Sequence, residues 1–408
     1  MSTSISCPCS VTEECESIKN FTISVQDDLQ HISEIQWNKH IPEWNVLMQH
    51  DSLCLLQSLQ GNSIQFRYAQ IKRNEQVVGV IYFQVVMFHA NQLMNYFPET
   101  RAGSFWLKPL RAFSEKLLNL INIKLLVTGN VFMTGENGFY FNTDIDKPTR
   151  ARIIRKTIDE IRVKDKSIAA TLISDLYDPK SDFDSDFSKV GYHEITVESD
   201  MGISLKKEWK TFDDYLHSLS SKYRVRTRKV FNMCSEAGVL HQDLSADEIR
   251  IHQDRLYQLY ERVISKADFK LAVLSPNFFY EQKKQIGANY RVIAYFRNGE
   301  IIGFISSYHF GKRMEVHYTG MDHDLCKPIH LYQHMMYDMI KYGIENRVDR
   351  IHFGRTAPEI KSTIGATPDK MYGYVKHFNP LFNFLFVRSY TAGLKPQEYV
   401  FRNPFKGS

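Results

Sequence analysis

The segment RNEQVVGVI at residues 73–81 returns as RNGEIIGFI at residues 297–305. Each copy begins with a polar turn and continues into an apolar run with a glycine midway along it. The runs before the turns, 64–72 and 291–296, are rich in β-branched and aromatic residues, so both segments predict a β-hairpin. A glycine in the second strand is typical of a β-bulge. The constant offset of 224 residues indicates an internal duplication.

The segments that follow the two hairpins agree with this interpretation. After the first hairpin, hydrophobic periodicity predicts a helix, a strand, a helix and a strand at 107–121, 124–128, 147–163 and 169–176. After the second, it predicts a strand, a helix, a strand, a short helix and a strand at 315–321, 330–346, 350–354, 358–364 and 370–378. Hairpins that lead into alternating strands and helices predict an α/β fold with a mixed sheet, formed twice in tandem.

The length of 408 residues favours two domains. We predict a flexible tail at residues 1–20, an N-terminal lobe at 21–200 and a C-terminal lobe at 201–408 that carries the active site. Helices at 212–237 and 246–264, with a boundary segment at 200–211, are expected to join the two halves.

The composition is typical of a soluble globular protein, with 43% hydrophobic and 24% charged residues. No run approaches eighteen apolar residues, and the polar start of the chain lacks the pattern of a secretory signal, so we expect no membrane span and a cytoplasmic location. The net charge of +5 is small for this length and does not favour DNA binding.

Metal ligation is not predicted. The six cysteines are too scattered for a disulfide framework, and Cys7 and Cys9 have no second pair at zinc-site spacing. His330 and His334 have helical i, i+4 spacing, but without a third ligand we favour helix packing. The string 144–146, Asp-Ile-Asp, is explained by an N-cap before the helix at 147–163.

The most basic segment lies on the helix predicted at 212–237. Four of its cations, Lys222, Arg224, Arg226 and Arg228, fall within eight residues. One interpretation is a solvated helix face. The other is a contact for a phosphorylated partner, such as a nucleotide-linked substrate, a phosphopantetheine group or the acceptor end of a tRNA.

Three local sequences have counterparts in a known family. They are LSSKYRVR at 219–226 leading to AGV at 237–239, IIG at 301–303, and FGR at 353–355 with Lys361 and Gly365 downstream. Together with the duplicated hairpin, they resemble the tandem GNAT-fold acyltransferases of the Fem type, which include peptidoglycan aminoacyltransferases. The resemblance implies direct transfer of an acyl or aminoacyl group to an amine, on a cell-wall precursor or a lipid amine.

One feature of many GNAT enzymes is missing. The segment 322–330, which precedes a predicted helix, has no glycine and so cannot form the glycine-containing loop that holds the pyrophosphate of acetyl-CoA. Fem-type enzymes also lack this loop. No bound cofactor is therefore predicted, and the donor is left open between aminoacyl-tRNA, acyl carrier protein and acyl-CoA, with a small amine-bearing acceptor.

Candidate site residues lie at the ends of the central strands. Lys361 corresponds to the family's lysine, which implies a cation that holds the donor carbonyl or an anionic group of the acceptor. Arg355 is expected to clamp a carboxylate or to pair with Glu359. Glu315, His317 and Tyr318 lie on one strand, where alternation places the first two on one face and Tyr318 on the other.

Two alternatives remain. A fatty N-acyltransferase would place its acyl chain in a pocket lined by Phe378, Phe382, Phe384 and Phe386, although a core helix also explains these residues. A recognition protein would keep the fold without catalysis.

Overall fold

The computed structural model describes residues 18–61, 63–89, 122–135, 137–177, 187–267, 270–387 and 399–407. These residues form two compact units. Unit 1 contains the described residues of 18–42, 46–197 and 371–387, and unit 2 contains those of 43–45, 198–370 and 399–407. The predicted division assigned 371–387 to the C-terminal lobe, but these residues belong to unit 1. The predicted tail at 1–20 lies, up to residue 17, outside the described residues, as does the helix predicted at 107–121.

The strands, in chain order, are β1 (Phe21–Gln26), β2 (Gln65–Arg73), β3 (Gln76–His89), β4 (Asn122–Thr128), β5 (Phe139–Phe141), β6 (Ile168–Leu176), β7 (His193–Ser204), β8 (Leu240–Asp243), β9 (Tyr290–Arg297), β10 (Glu300–Phe310), β11 (Arg313–Met321), β12 (Arg350–His352) and β13 (Thr367–His377). The two predicted hairpins are confirmed as β2–β3 and β9–β10.

The α-helices are α1 (Glu34–Asn38), α2 (His50–Gln60), α3 (Lys147–Lys164), α4 (Phe212–Ser218), α5 (Ser221–Glu236), α6 (Ala246–Ile251), α7 (Gln253–Ile264), α8 (Phe278–Ile286), α9 (His323–Cys326), α10 (Leu331–Glu345), α11 (Pro358–Ser362) and α12 (Pro380–Phe382). None of the helices in the described part of the chain has both the length and the apolarity needed to cross a bilayer.

Unit 1 has a mixed sheet in the order β1-β2-β3-β4-β6-β13. The strands pair antiparallel except for β4 and β6, which run parallel and are connected through α3. Helix α3 packs in the core of this unit through a face rich in isoleucine, which includes Ile153, Ile154 and Ile158. Asp146 caps the start of α3 by accepting a hydrogen bond from the Thr149 N–H, as the sequence predicts.

Unit 2 repeats this arrangement with a mixed sheet in the order β8-β9-β10-β11-β12-β7. The parallel pair is β11 and β12, connected through α10. Helix α10 is buried over most of its length and supplies Met335, Met339 and Ile340 to the core of the unit. The prediction of a mixed α/β sheet is therefore confirmed.

The two hairpins share their turn and their bulge. Both turns place two consecutive residues at positive φ, Asn74 and Glu75 in the first and Asn298 and Gly299 in the second, which is the geometry of tight hairpin turns. In both second strands the register skips one residue, at 78 and at 302, immediately before the glycine. The bulge expected from the glycines is thus present in both units.

Two predicted helices are each divided in two. The helix expected at 212–237 breaks at Leu219, which is fully buried and bridges to Phe405. The next residue, Ser220, donates its N–H to the Pro404 carbonyl and occupies the N-cap position of α5. The helix expected at 246–264 breaks at His252, between α6 and α7. In the first case, packing of one leucine overrides a continuous helical pattern.

Candidate functional site

The end of β12 is where the sheet of unit 2 opens. Three residues of β12 pair with β11, the last being His352 with Glu315. On its other side, the chain continues to pair with β7, because Phe353 donates its N–H to the Met201 carbonyl and Gly354 accepts from the Met201 N–H. Gly354 has a φ of 73°, in the left-handed region that favours glycine. The chain leaves the sheet at this residue.

A buried carboxylate holds this strand end. Asp200 is 1% exposed, and one of its oxygens accepts the Gly354 N–H at 3.1 Å. The other oxygen lies 2.7 Å from Nδ1 of His352, which is also buried. Since a buried carboxylate is costly without partners, the two hydrogen bonds explain why it is tolerated. Asp200 therefore positions both the ring of His352 and the backbone at Gly354.

Lys361 lies on α11 and is 2% exposed. Its ammonium donates to the Gly354 carbonyl at 3.0 Å. Burial lowers the pKa of Lys361 from 10.5 to about 7, against the opposing charges of Asp200 and Glu198. An ammonium has three donors, and within the described residues Gly354 is its one hydrogen-bond acceptor. Two of its three N–H groups thus have no acceptor among these residues. We call Asp200, His352, Gly354 and Lys361 the Gly354 site.

A bulge on β11 changes the predicted orientation of its side chains. The register shifts opposite Ser306, so that His317 and Tyr318 together oppose one residue. Ser306 closes the bulge, because its hydroxyl accepts from the Tyr318 N–H at 3.0 Å and donates to the Tyr318 carbonyl at 3.1 Å. The rings of His317 and Tyr318 lie 4.2 Å apart. The prediction that they face opposite sides of the sheet is wrong, because strict alternation fails at a bulge.

Tyr318 and Arg355 connect this bulge electrostatically to the end of β12. Burial raises the pKa of Tyr318 well above its usual range, and the positive charge of Arg355 opposes that shift. The Tyr318 ring also packs edge-on against Tyr260 at 5.2 Å. The hydroxyl of Tyr318 therefore stays protonated at neutral pH, within the field of a cation that follows Gly354.

Two predicted site residues engage other partners. Glu315 accepts from Nε of Arg313 on its own strand at 2.7 Å. Glu359 accepts from both Nε and an Nη of Arg402, at 3.2 and 2.7 Å. The fork from Arg402 attaches the C-terminal segment of unit 2 to α11, which carries Lys361.

Residues 193–395 match the FemAB-like family, which is described as peptidoglycan biosynthesis/recognition. The matched segment is just under half of the chain. It contains the whole Gly354 site and the bulge of β11.

Several solved structures align with the chain at low sequence identity. A tandem GNAT protein from the clavulanic acid biosynthesis pathway aligns with a TM-score of 0.50 and 8% identity, over 88% of this chain and 99% of that chain. FemX aligns at 0.47 and 11%, over 80% and 91%. The C-terminal domain of a putative lysylphosphatidylglycerol synthetase from Agrobacterium fabrum aligns at 0.42 and 10%, over 68% and 85%. No curated protein matches the sequence. The first of these alignments supports the tandem GNAT fold.

The basic cluster that the sequence places at residues 222–228 lies along α5. Lys222, Arg226 and Arg228 are exposed, whereas Arg224 is half-buried and donates to the Leu219 carbonyl at 3.4 Å. The exposed cations are separated by the buried Thr227, which faces α10 through a hydrogen bond to Tyr337. The helix thus presents a cationic surface to solvent while its other face packs in the core.

The aromatic residues considered for a fatty-acyl pocket do not line one together. Phe382 and Phe384 are 44% and 59% exposed. The guanidinium of Arg162 lies over the ring of Phe378, with its central carbon 4.4 Å from the ring centre. The side chain of Phe386 is outside the described part of the chain.

Asp200 is the site residue that sequence reasoning missed. Its segment, 193–204, overlaps the predicted domain boundary, although Ile195, Thr196, Val197 and Ile203 are typical strand residues. Recognition of this strand would have placed a carboxylate inside a buried run, which is a signal for a functional or capping role.

Proposed function

We propose that this protein transfers an acyl or aminoacyl group directly from a donor to an amine, at the Gly354 site. The observation that carries the proposal is the Lys361 ammonium, which is buried beside a strand end in the segment that matches the FemAB-like family and has donors to spare. A buried ammonium with unused donors is costly, and an acyl carbonyl oxygen is a suitable acceptor.

In the proposed reaction, the acceptor nitrogen bonds to the acyl carbon and the bond from that carbon to the donor oxygen or sulfur breaks. Negative charge develops on the carbonyl oxygen in the transition state, where a positioned ammonium stabilises it. Lys361 supplies this charge. Asp200 and His352 act as positioning residues, because Asp200 accepts from the N–H of Gly354, to which Lys361 is hydrogen-bonded, and His352 holds Asp200.

The proton of the attacking amine must reach the leaving group. Tyr318 and His317 are our candidates to relay it, since their rings are adjacent and Tyr318 keeps its proton at neutral pH. Arg355, close enough to influence Tyr318, is the candidate to hold an anionic group of the acceptor.

For the substrates, we propose an aminoacyl-tRNA donor and a peptidoglycan-precursor acceptor. The exposed cations of α5 support a phosphate-rich donor, and the family description supports a cell-wall acceptor. Acyl carrier protein and acyl-CoA are the competing donors.

Thermal-shift titration of the full chain with aminoacyl-tRNA, acyl carrier protein and acyl-CoA tests the donor. We expect stabilisation by aminoacyl-tRNA. Stabilisation by either other donor would keep the transfer reaction and replace the tRNA. If none of the three raises the melting temperature, acyl transfer is contradicted.

The pH dependence of single-turnover transfer tests the role of Lys361. If its ammonium stabilises the oxyanion, the rate constant should fall as the pH rises through the pKa of Lys361, about 7 in the free protein. A rate constant that rises over that range would instead assign a neutral amine that acts as a base.

A further inference from the structure

A second polar cluster of unit 2 lies on β8 and α10. His241 on β8 is paired across the sheet with Tyr295 on β9, so both side chains lie on one face. His334 and Asp338 lie one helical turn apart on α10, and the rings of His334 and Tyr295 are 6.0 Å apart. Strand pairing and helix packing thus place two imidazoles and one carboxylate together.

Two imidazole nitrogens face one oxygen of Asp338. Nε2 of His334 lies 3.5 Å from Oδ2, and Nδ1 of His241 lies 3.8 Å from the same oxygen. Both distances exceed those of good hydrogen bonds. His334 is 8% exposed, and its other nitrogen, Nδ1, has no hydrogen-bond partner in the described residues. Within the described residues, the buried ring therefore has one long contact with a carboxylate, at Nε2, and no hydrogen bond at Nδ1.

These spacings fit ligands of a single metal ion. Ligand nitrogens and oxygens lie about 2.0–2.1 Å from Zn²⁺ in a tetrahedral arrangement, which places neighbouring ligand atoms about 3.4 Å apart. The three ligand atoms here are all within 4.8 Å of one another. A small closure of the exposed His241 ring, 55% accessible, would bring them to that spacing.

The surroundings hold the carboxylate and cover the buried imidazole. The Tyr295 hydroxyl donates to Oδ2 of Asp338 at 2.7 Å, as an outer-shell partner does for a ligating carboxylate. The ring of Phe231 packs at 4.6 Å from that of His334.

We propose that His241, His334 and Asp338 bind a divalent transition-metal ion, with Zn²⁺ as the preferred occupant and at least one coordination position open to solvent. Two imidazoles and a carboxylate suit the borderline character of zinc. This departs from the sequence interpretation, which considered His330 with His334 and favoured helix packing. His330 is exposed and lies outside the cluster.

The ion would join an edge strand to the helix that packs on it. All four residues of β8 are exposed, so the strand has few apolar contacts to hold it. Ligands from β8 and α10 would give it a direct connection to the core of unit 2, independently of the Gly354 site.

The test is metal binding by the full-length protein after chelator treatment. We expect it to take up Zn²⁺ in a chelator-competition titration, with a rise in melting temperature. His241→Ala, an exposed change that should preserve folding, and Asp338→Asn should each weaken this binding by more than the roughly 10–100-fold typical of losing an outer-shell partner. Tyr295→Phe removes the outer-shell hydroxyl and should weaken Zn²⁺ binding by about 10–100-fold.

His330→Asn is the matched control, because it removes an exposed imidazole next to α10 and suits the left-handed backbone there. It should bind Zn²⁺ like the wild type. The absorption spectrum of bound Co²⁺ distinguishes this site from one formed by the N-terminal cysteines. Imidazole and carboxylate ligands give no thiolate charge-transfer band, whereas cysteine ligands do. The proposal is overturned if the protein takes up no Zn²⁺, if His241→Ala leaves affinity unchanged, or if bound Co²⁺ shows only thiolate ligation.

Discussion

The two units have the same hairpin and different strand ends. In both, the hairpin has a turn at positive φ, a skipped residue and a glycine at equivalent positions. In unit 1, the parallel pair β4 and β6 continues to Thr128 and Ile173, which are both buried. In unit 2, the corresponding pair stops at Glu315 and His352.

This difference indicates how one scaffold supports a site in one unit. The shared hairpin supports the proposed duplication and belongs to the scaffold. Where the ladder of unit 1 continues, side chains such as Ile173 fill the space with apolar packing. In unit 2, where the pairing of β11 with β12 ends at His352, the buried polar side chains of Asp200 and Lys361 contact the backbone of Gly354. We infer that the proposed transfer site became possible where this strand pairing was shortened.

The largest expected effect comes from two lysines, one in each unit, whose pKa values are both lowered by burial. Lys361→Met in unit 2 should reduce the transfer rate constant by about 10²–10³-fold, as loss of an oxyanion donor does. Lys376→Met in unit 1 should leave it near the wild-type value. Single-turnover kinetics with the donor that binds measures both. If both variants lose the transfer rate constant equally, the active site cannot be assigned to unit 2 from this comparison.

The same two lysines should differ in how they affect stability with pH. The pKa of Lys361 is about 7 in the folded protein, against 10.5 for a solvated lysine, so between these values the unfolded chain binds more protons. The free energy of unfolding should therefore rise with pH in this window, by at most about 1.4 kcal/mol per unit. Below the window, the destabilising contribution of Lys361 should stay constant with pH.

Denaturant titrations at several pH values measure this contribution as the difference between wild type and Lys361→Met. Lys376→Met, at a less buried site, should give a smaller difference of the same sign. A flat difference between wild type and Lys361→Met would mean that the Lys361 ammonium is solvated.

The glycines of the two hairpins should differ in how much a substitution by alanine destabilises the protein. A Cβ on Gly79 would lie 2.4 Å from the Phe141 ring, whereas on Gly303 it would lie 2.7 Å from the flexible end of Met335. Gly79→Ala should therefore lower the free energy of unfolding by about 1–3 kcal/mol and Gly303→Ala by less, as measured by denaturant titration. The reverse order would mean that the hairpins are packed differently from the structure described.

The smallest effect concerns the two basic helices. Lys222→Glu with Arg226→Glu on α5 should weaken aminoacyl-tRNA binding several-fold and reduce its salt dependence by about 0.7–0.9 in log–log slope for each phosphate that the variant no longer neutralises. Lys147→Glu with Lys164→Glu on α3 changes two exposed cations of unit 1 and should do neither. A filter-binding assay across salt concentrations distinguishes them. Equal effects would indicate non-specific attraction.

Sequence reasoning succeeded where structure is set by neighbours in the chain. The hairpins, their bulges and the cap at Asp146 depend on local turn, glycine and capping chemistry, and all are observed. The helix break at Leu219 was not predicted, because its cause is a contact with Phe405.

The candidate site was predicted in part for the same reason. Lys361 was singled out by resemblance, but its burial depends on packing that no local pattern shows. Asp200 approaches Gly354 across 154 positions of sequence. The side-by-side arrangement of His317 and Tyr318 depends on Ser306, which lies on another strand. Distant contacts of this kind cannot be read from periodicity.

Strands β7 and β13 each belong partly to both units, with β7 beginning in unit 1 and β13 ending there. This has a consequence for biosynthesis. The ribosome makes the first six strands of unit 1 early, but β6 receives its β13 partner, residues 372–377, only after nearly all of unit 2 has been translated. At about 5–20 residues per second, the N-terminal unit waits on the order of ten seconds or more for its last strand. During that interval β6 has an open edge, and a nascent chain truncated before residue 372 would retain it.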